Sequence, residues 1–188
     1  ADFSGVVPPR WRGVLTGLAG AIKLTPLIFI PAFLATRQWR QAAVATGVWA
    51  AAGIVGLVAY PSDSLIYWSA LVLDTSRAVD LGAGRNQSLM GALLRAGIQP
   101  PLLTPVWAAL AAAVFALAMI RVRRHHAQGD LLQATVVAGV ASVLISPLSW
   151  PQQQVWLGLA GVCLLASVSW WWRLGGALLV LTASQASP

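Results

Sequence analysis

Five apolar segments, each about 20 residues long, limit what this chain can fold into. A helix rises 1.5 Å per residue, so about 20 residues cover the roughly 30 Å hydrocarbon core of a bilayer. Only 9% of the 188 residues are charged, whereas soluble domains carry about 25% charged residues. The sequence therefore predicts an all-α, multi-pass membrane protein with a single membrane domain over residues 1–188. Its spans are expected near residues 13–35, 41–60, 102–120, 131–149 and 155–172.

The arginines stand at the ends of these segments, where the positive-inside rule uses them to orient a membrane protein. Those that follow the first, third and fifth spans are Arg37, Arg40, Arg121, Arg123, Arg124 and Arg173. We expect these ends to face the cytoplasm and residues 61–101 to form a long segment on the outer face. Arg10 and Arg12, which precede the first span, then fall on the outer face against the rule.

Several classes of partner and site are excluded by the sequence. Basic residues are not interleaved with aromatics in one patch, so nucleic acid is not an expected partner. Cys163 is the single cysteine, and His125 and His126 are adjacent and would point in different directions along a helix. No Ser/His/Asp set or phosphate-cradling glycine loop occurs. We therefore expect neither a metal nor a cofactor.

Lys23 is the only lysine of the chain and lies near the middle of the first predicted span. A cation there costs about 2.5 kcal/mol or more, and such residues usually face a cavity, a counter-ion or a substrate. Pro26 follows three residues later and can kink the helix beside the lysine. Lys23 either binds an anion such as a phosphate as a point charge, or it snorkels or pairs with a carboxylate.

The outer segment 61–101 has features of its own. Residues 64–73 are apolar but only half a span long, which predicts an interfacial or re-entrant helix. Residues 88–97 predict a short amphipathic helix, capped by Asn86 or Ser88 and ended by Gly97. The side chains of Arg77, Arg85, Asn86, Gln87 and Ser88 can bind phosphate and sugar hydroxyls. The alternative is a solvated loop with a helix cap.

A second polar stretch interrupts the apolar sequence at residues 146–156. It contains two prolines and three consecutive glutamines, Gln152 to Gln154, between Trp150 and Trp156. Glutamines at this position either line a cleft, with Trp150, Gln152 and Gln153 as binding residues, or cap a simple turn.

Three sets of residues occur in an order that is similar to a known family. They are Ala21-Ile-Lys-Leu-Thr-Pro26, then Asp74-Thr-Ser-Arg77 with Asn86-Gln-Ser-Leu89 and Gly91, and finally Ser146-Pro-Leu-Ser-Trp150 with Val155-Trp156. Together they resemble glycosyltransferase family 87, the polyprenol-phosphate-mannose-dependent α-(1→2)-mannosyltransferases. The resemblance covers about Arg12 to Trp172.

The resemblance implies a polytopic helical bundle of the lipid-dependent, C-type glycosyltransferase kind in the cell membrane. It also implies an inverting transfer of mannose from polyprenyl-phosphate-mannose to a glycolipid or glycan acceptor on the outer face. Lys23, Arg77 and Arg85 would then lie on the phosphate side of the donor. Asn86, Gln87, Ser88 and Trp150 would shape the cleft for the sugar or lipid.

Two departures from the family pattern accompany this resemblance. The family's base is an aspartate in the first outer loop, and Asp2 does not match its context, so the chain resembles the carboxy-terminal portion of a longer enzyme. Gln152 and Gln153 stand where the family usually has a His-His pair. The alternatives are a chain completed by a partner that supplies the missing helices, a transporter or lipid-handling subunit that binds an anion, and a non-catalytic remnant.

Overall fold

The computed structural model describes residue 2 and residues 7–72, 74, 81–150, 153, 155–166 and 169–185. All regular elements in these ranges are helical, as the sequence predicts. The α-helices are α1 (Val14–Ile22), α2 (Phe29–Ala35), α3 (Trp39–Ala59), α4 (Pro61–Ile66), α5 (Leu89–Arg95), α6 (Leu103–Ala127), α7 (Leu131–Ile145), α8 (Val155–Leu165) and α9 (Trp170–Gln185). The chain divides into two compact units, Ala1–Val79 and Asp80–Pro188.

In the first unit, residues 13–35 form a helical hairpin, where the sequence predicts a single span. α1 ends at Ile22, a 3-10 turn covers Thr25–Ile28, and α2 leads back to the start of α3. Pro26 accounts for the break, because it lacks the N–H that would bond to the carbonyl of Ile22 and its ring clashes with that carbonyl.

α1, the first arm of the hairpin, runs parallel to α3. This direction follows because successive glycines along α1 contact successive turns of α3. The ideal Cβ positions of these glycines lie within 4 Å of α3 in the order Gly13 against Gln41, Gly17 against Ala45 and Gly20 against Trp49. Both ends of the hairpin therefore lie beside the start of α3. Arg40 confirms this placement, since its Nη1 donates to the carbonyl oxygen of Pro9 at 2.5 Å.

This geometry gathers the basic residues that flank the hairpin. Arg10 and Arg12 precede α1, and Arg37 and Arg40 lie between α2 and the first turn of α3. All four stand at one end of the first unit. The conflict with the positive-inside rule, which arose from treating residues 13–35 as one span, does not occur in this arrangement.

After α3 the chain folds back along that same helix. α4 and a π-helical turn over Tyr67–Leu71 run antiparallel to α3. A Cβ at Gly56 would lie 3.8 Å from Ser64 Oγ, and the rings of Trp49 and Trp68 meet edge to face at 5.9 Å. The segment thus returns from the end of α3 to its midpoint.

In the second unit, α7 contributes more buried residues than any other described helix. Its interior side chains are small or β-branched, and they are Ala134, Val136, Ala138, Ala141, Ser142 and Val143. Gly129 turns the chain between α6 and α7 with φ 77°. Asp130 then caps α7 by accepting a hydrogen bond from the backbone N–H of Gln133 at 3.0 Å.

The last predicted span, residues 155–172, is divided between two helices. α8 ends at Leu165 and α9 begins at Trp170, so the tryptophan triplet opens the next helix. The two helices cross where Gly161 faces Gly176, since a Cβ at Gly176 would lie 2.5 Å from the Gly161 carbonyl oxygen. Paired glycines permit such close backbone approach between apolar helices.

Two described helices are long and apolar enough to cross a membrane, α3 and α6. Only 11% and 17% of their most apolar stretches are buried within the chain. Large apolar side chains such as Ile54, Val58 and Leu117 are more than half exposed. α3 and α6 therefore expose apolar surface on the outside of the chain. A helix in the core of a soluble domain would bury such surface.

Candidate functional site

Lys23 lies at the break in the helical hairpin. Its backbone is extended, with φ −150° and ψ 135°, and its N–H closes the last turn of α1 on the carbonyl of Ala19 at 2.9 Å. The side chain is exposed, as are those of Ile22 and Leu24 on either side. The break therefore presents the only lysine of the chain at the tip of a hairpin.

The tip of the hairpin is level with the middle of α3. Trp49 is the central residue of α3 and packs against Gly20, and Lys23 follows Gly20 by about one helical turn. At 1.5 Å per residue, Lys23 is then about 10 Å from the Ala59 end of α3. The structure thus keeps Lys23 deep along α3 without placing it inside a continuous helix.

Asp2 is the carboxylate that precedes Lys23 in the same unit. It is 5% exposed, and its Oδ2 accepts from the N–H of Thr16 at 2.8 Å and from the Thr16 hydroxyl at 2.9 Å. Thr16 lies in the first turn of α1, where backbone N–H groups have no partner within the helix. Asp2 therefore caps α1, although it lies 14 residues away in sequence from Thr16.

In the second unit, a buried cluster of hydrogen bonds centres on Asn86. Its Nδ2 donates to the carbonyls of Leu81 at 2.8 Å and Pro147 at 3.1 Å. Its Oδ1 accepts from the N–H groups of Ser88 at 3.2 Å and Ser149 at 3.0 Å. Asn86 is 2% exposed, and all four of these side-chain hydrogen bonds are to backbone groups. Its side chain therefore holds the loop backbone in place.

Ser88 completes this cluster and begins α5. Its hydroxyl donates to the Pro147 carbonyl at 2.9 Å and accepts from the Gly91 N–H at 3.1 Å. Ser88 is therefore the N-cap, which is one of the two residues that the sequence predicts for this position. Gly91 is required here, since a Cβ would lie 2.6 Å from the Asn86 carbonyl oxygen. Two of the three resembling motifs, around residues 86–91 and 146–150, are therefore joined directly.

Exposed side chains surround the buried cluster. The Arg85 guanidinium lies 5.8 Å from the ring centroid of Trp150, within the range of a cation–π contact. The backbone N–H of Trp150 donates to Gln153 Oε1 at 2.9 Å, and Gln87 Nε2 donates to the Gly84 carbonyl at 2.8 Å. A guanidinium, an indole and two amides thus line the accessible edge of the cluster.

The predicted site residues fall into three groups. Arg85, Asn86, Gln87, Ser88, Trp150 and Gln153 come together in the second unit, and Lys23 belongs to the first unit. Arg77 and Gln152 lie outside the described residues. Asn86 and Ser88 are interior residues that position the loop, whereas Arg85 and Trp150 are accessible.

Arg95 and Ser149 were not predicted from the sequence. Arg95 donates from Nη1 to the carbonyls of Ala83 at 3.0 Å and Asn86 at 2.9 Å. It follows the Ser88 cap by seven residues, a helical spacing that places both on one face and signals a contact. Ser149 is fully buried and donates from Oγ to Val143, for which no local pattern gives a signal. Among the described residues, no group of three or more His, Cys, Asp or Glu side chains is placed to hold a metal ion.

The comparison with protein families gives a match that covers most of the chain. The model of glycosyltransferase family 87 matches residues 2–147, most of the chain. The chain belongs to glycosyltransferase family 87. No solved structure matches it significantly.

Several curated relatives of this family 87 chain are identical to it at about a third of the aligned positions. A polyprenol-phosphate-mannose-dependent α-(1-2)-phosphatidylinositol mannoside mannosyltransferase of Mycobacterium tuberculosis is 31% identical over 86% of the chain. The Mycolicibacterium smegmatis protein of the same name is 33% identical over 80% of the chain. A pentamannoside mannosyltransferase of M. smegmatis is 30% identical over 84%. The chain spans 37–39% of the length of these relatives.

Proposed function

We propose that this chain is part of an integral membrane mannosyltransferase that uses polyprenyl-phosphate-mannose. Membership of family 87 and relatives whose names state this donor support the proposal. The acceptor is a glycolipid or glycan, and phosphatidylinositol mannosides are the acceptors named for the relatives. The fold is a multi-pass helical bundle of the C-type kind in the cell membrane, with residues 61–101 on the outer face.

The Asn86 cluster is the structural observation that carries the proposal. Asn86 and Ser88 bond to Pro147 and Ser149 across about 60 residues of sequence. A chance similarity of short motifs would not bring them into one buried network. The joined motifs present Arg85, Trp150 and Gln153 on their accessible edge, which is where a polar ligand meets them.

The transfer requires two kinds of help from the protein. An acceptor hydroxyl oxygen forms a bond to the anomeric carbon, the bond from that carbon to the phosphate oxygen breaks, and the phosphate leaves with the electron pair. A carboxylate takes the hydroxyl proton, and fixed cations stabilise the leaving phosphate. We assign the cationic role to Lys23, Arg77 and Arg85, and no described residue of this chain is assigned the role of base.

The neutral polar residues have two different roles in this proposal. Asn86 and Ser88 position the loop, because their hydrogen-bonding groups already hold backbone. Trp150, Gln152, Gln153 and Gln87 contact the sugar or lipid. An indole next to amides is suited to a sugar, since its face packs on apolar C–H groups while amides bond to hydroxyls.

The test is transfer of radiolabelled mannose from polyprenyl-phosphate-mannose to lipid acceptors in membranes that contain the protein. Lys23→Ala and Arg85→Ala should each lower kcat by about 100-fold, the cost of removing one group that stabilises developing charge. Lys23→Arg should retain more activity than Lys23→Ala because it keeps the charge.

Arg124→Ala is the matched control, since it removes a cation from the last turn of α6 and should leave transfer unchanged. Membranes with the unmodified protein that transfer no more mannose than membranes without it would contradict the proposed activity. Transfer that is unaffected in Lys23→Ala would remove the lysine from the phosphate role.

A further inference from the structure

Arg85 is carried by a tight turn that precedes α5. The N–H of Asn86 donates to the carbonyl of Ala83 at 2.9 Å, which closes a β-turn over residues 83–86 with Arg85 at its third position. Arg85 is exposed there, and its guanidinium lies 5.8 Å from the ring centroid of Trp150. The direction in which this cation points therefore depends on the backbone of the turn.

Arg95 fastens both ends of this turn to α5. Its Nη1 donates to the carbonyl of Ala83 at 3.0 Å and to the carbonyl of Asn86 at 2.9 Å, and these are the first and last residues of the turn. Hydrogen bonds from a charged donor are stronger than those between neutral groups. Arg95 therefore restrains the backbone on both sides of Arg85.

The rest of α5 is packed against the same end of the turn. Gly91 and Arg95 are four positions apart, so they lie on one face of the helix. A Cβ at Gly91 would lie 2.6 Å from the Asn86 carbonyl oxygen, which is the oxygen that accepts from Arg95. The close approach at Gly91 thus brings Arg95 within reach of the turn.

We propose that Arg95 is a positioning residue for mannose transfer, which holds Arg85 in the orientation that meets the phosphate of the donor. The inference rests on the proposed function, in which Arg85 stabilises that phosphate, and it extends that function by identifying what orients the arginine. A cation that is already ordered loses less conformational entropy when its ligand binds. The two bonds from Arg95 therefore raise the affinity of the site for the phosphate.

The test is a double-mutant cycle between Arg95 and Arg85, measured as mannose transfer in membranes that contain the protein. Arg95→Met keeps an apolar stem without the guanidinium and should lower kcat/KM about tenfold, the effect of losing one hydrogen bond from a charged donor. In the Arg85→Ala protein, Arg95→Met should cost less than about twofold more, because no guanidinium is left to orient. An equal loss in both backgrounds would overturn the proposal, since Arg95 would then act independently of Arg85.

Two further variants serve as controls for the charge. Arg124→Met removes an exposed arginine from the last turn of α6, as Arg95→Met does from α5, and should leave transfer unchanged. Arg95→Lys keeps a cationic donor on the same face of α5 and should retain more transfer than Arg95→Met. Lower transfer with Arg95→Lys than with Arg95→Met would contradict the role of the cation.

A spin label follows the turn in a measurement that needs no transfer. In a protein with Cys163→Ser, Gly84→Cys places the label within the turn, where an added Cβ meets no atom within 4 Å. Arg95→Met should increase the mobility of this label. The matched site is Gly158→Cys on α8, which is equally open, and its label should be unaffected. An unchanged spectrum at residue 84, or greater mobility at both sites, would overturn the positioning role.

Binding of radiolabelled polyprenyl phosphate to the protein in detergent separates this inference from the proposed function. Arg95→Met should weaken binding about tenfold when Arg85 is present and have little effect in the Arg85→Ala protein. That result without mannose transfer would support the positioning role and contradict the proposed enzyme activity. Transfer and binding that are both unchanged by Arg95→Met would overturn the role of Arg95 alone.

Discussion

At the scale of single residues, the position of Asn86 in the structure assigns it a role different from that of its neighbour. The sequence puts Asn86 and Gln87 together as candidate ligands for a sugar. The structure buries Asn86 with four hydrogen bonds to backbone and leaves Gln87 exposed with one. Burial decides this difference, because an amide withdrawn from water must satisfy its groups within the protein.

We predict that Asn86→Ala destabilises the protein by about 3 kcal/mol, because it removes the acceptor of the buried backbone N–H groups of Ser88 and Ser149, each costing about 1–3 kcal/mol when left unpaired. Gln87→Ala is the matched control and should change the free energy of unfolding by less than about 0.5 kcal/mol. Reversible unfolding in detergent micelles measures both values. Equal effects of the two substitutions would contradict the buried cluster.

At the scale of elements, the first unit contains two segments that reverse direction beside α3. It is therefore not a simple series of helices that each run the full length of α3. The hairpin α1–α2 approaches the middle of α3 from the Trp39 end, and residues 61–71 approach it from the Ala59 end. Both arrive at Trp49. A non-helical backbone at such depth occurs in membrane proteins where it is buried in protein or lines a cavity, and here it carries Lys23.

The hairpin predicts which side of the membrane its ends face. In a protein with Cys163→Ser, we expect Pro8→Cys and Gln38→Cys to react with an impermeant maleimide from the same side. Ser62→Cys, beyond the far end of α3, should react from the opposite side. Labelling after the membranes are permeabilised with detergent serves as the control. Reaction of Pro8→Cys and Gln38→Cys from opposite sides would show that residues 13–35 cross the membrane once.

At the scale of the whole molecule, the large apolar side chains on the outside of the chain decide which solvent it fits. Water disfavours a surface on which residues such as Val58, Leu117 and Leu178 are more than half exposed, since contiguous apolar patches are rare on soluble monomers. Hydrocarbon accommodates this surface without cost. The low burial of α3 and α6 therefore agrees with the membrane location that we propose.

Leu110→Arg tests this environment, because Leu110 is 40% exposed on α6. If α6 crosses a membrane, an arginine there should oppose insertion by about 2.5–3.5 kcal/mol, and glycosylation-reporter assays should show less inserted protein. Gln128→Arg, just beyond the end of α6, should insert normally. Normal insertion of the Leu110→Arg protein would mean that this face of α6 meets water.

The sequence by itself determined the helical class, the short helix that begins at Ser88 and the resemblance to family 87. These follow from apolar length, helical spacing and capping residues, which act over a few neighbouring positions. It also located the weak point at Pro26, since a missing N–H is a local property.

Only the tertiary structure decided the direction of the chain after Pro26, the burial of Asn86 and the contacts of Trp49. A proline breaks a helix but does not say whether the next helix continues or returns; that depends on packing against α3. The partners of Asn86 lie about 60 residues away, and Trp49 meets Gly20 and Trp68 from two separate segments. Such contacts depend on which surfaces pack together, and no local pattern in the sequence specifies them.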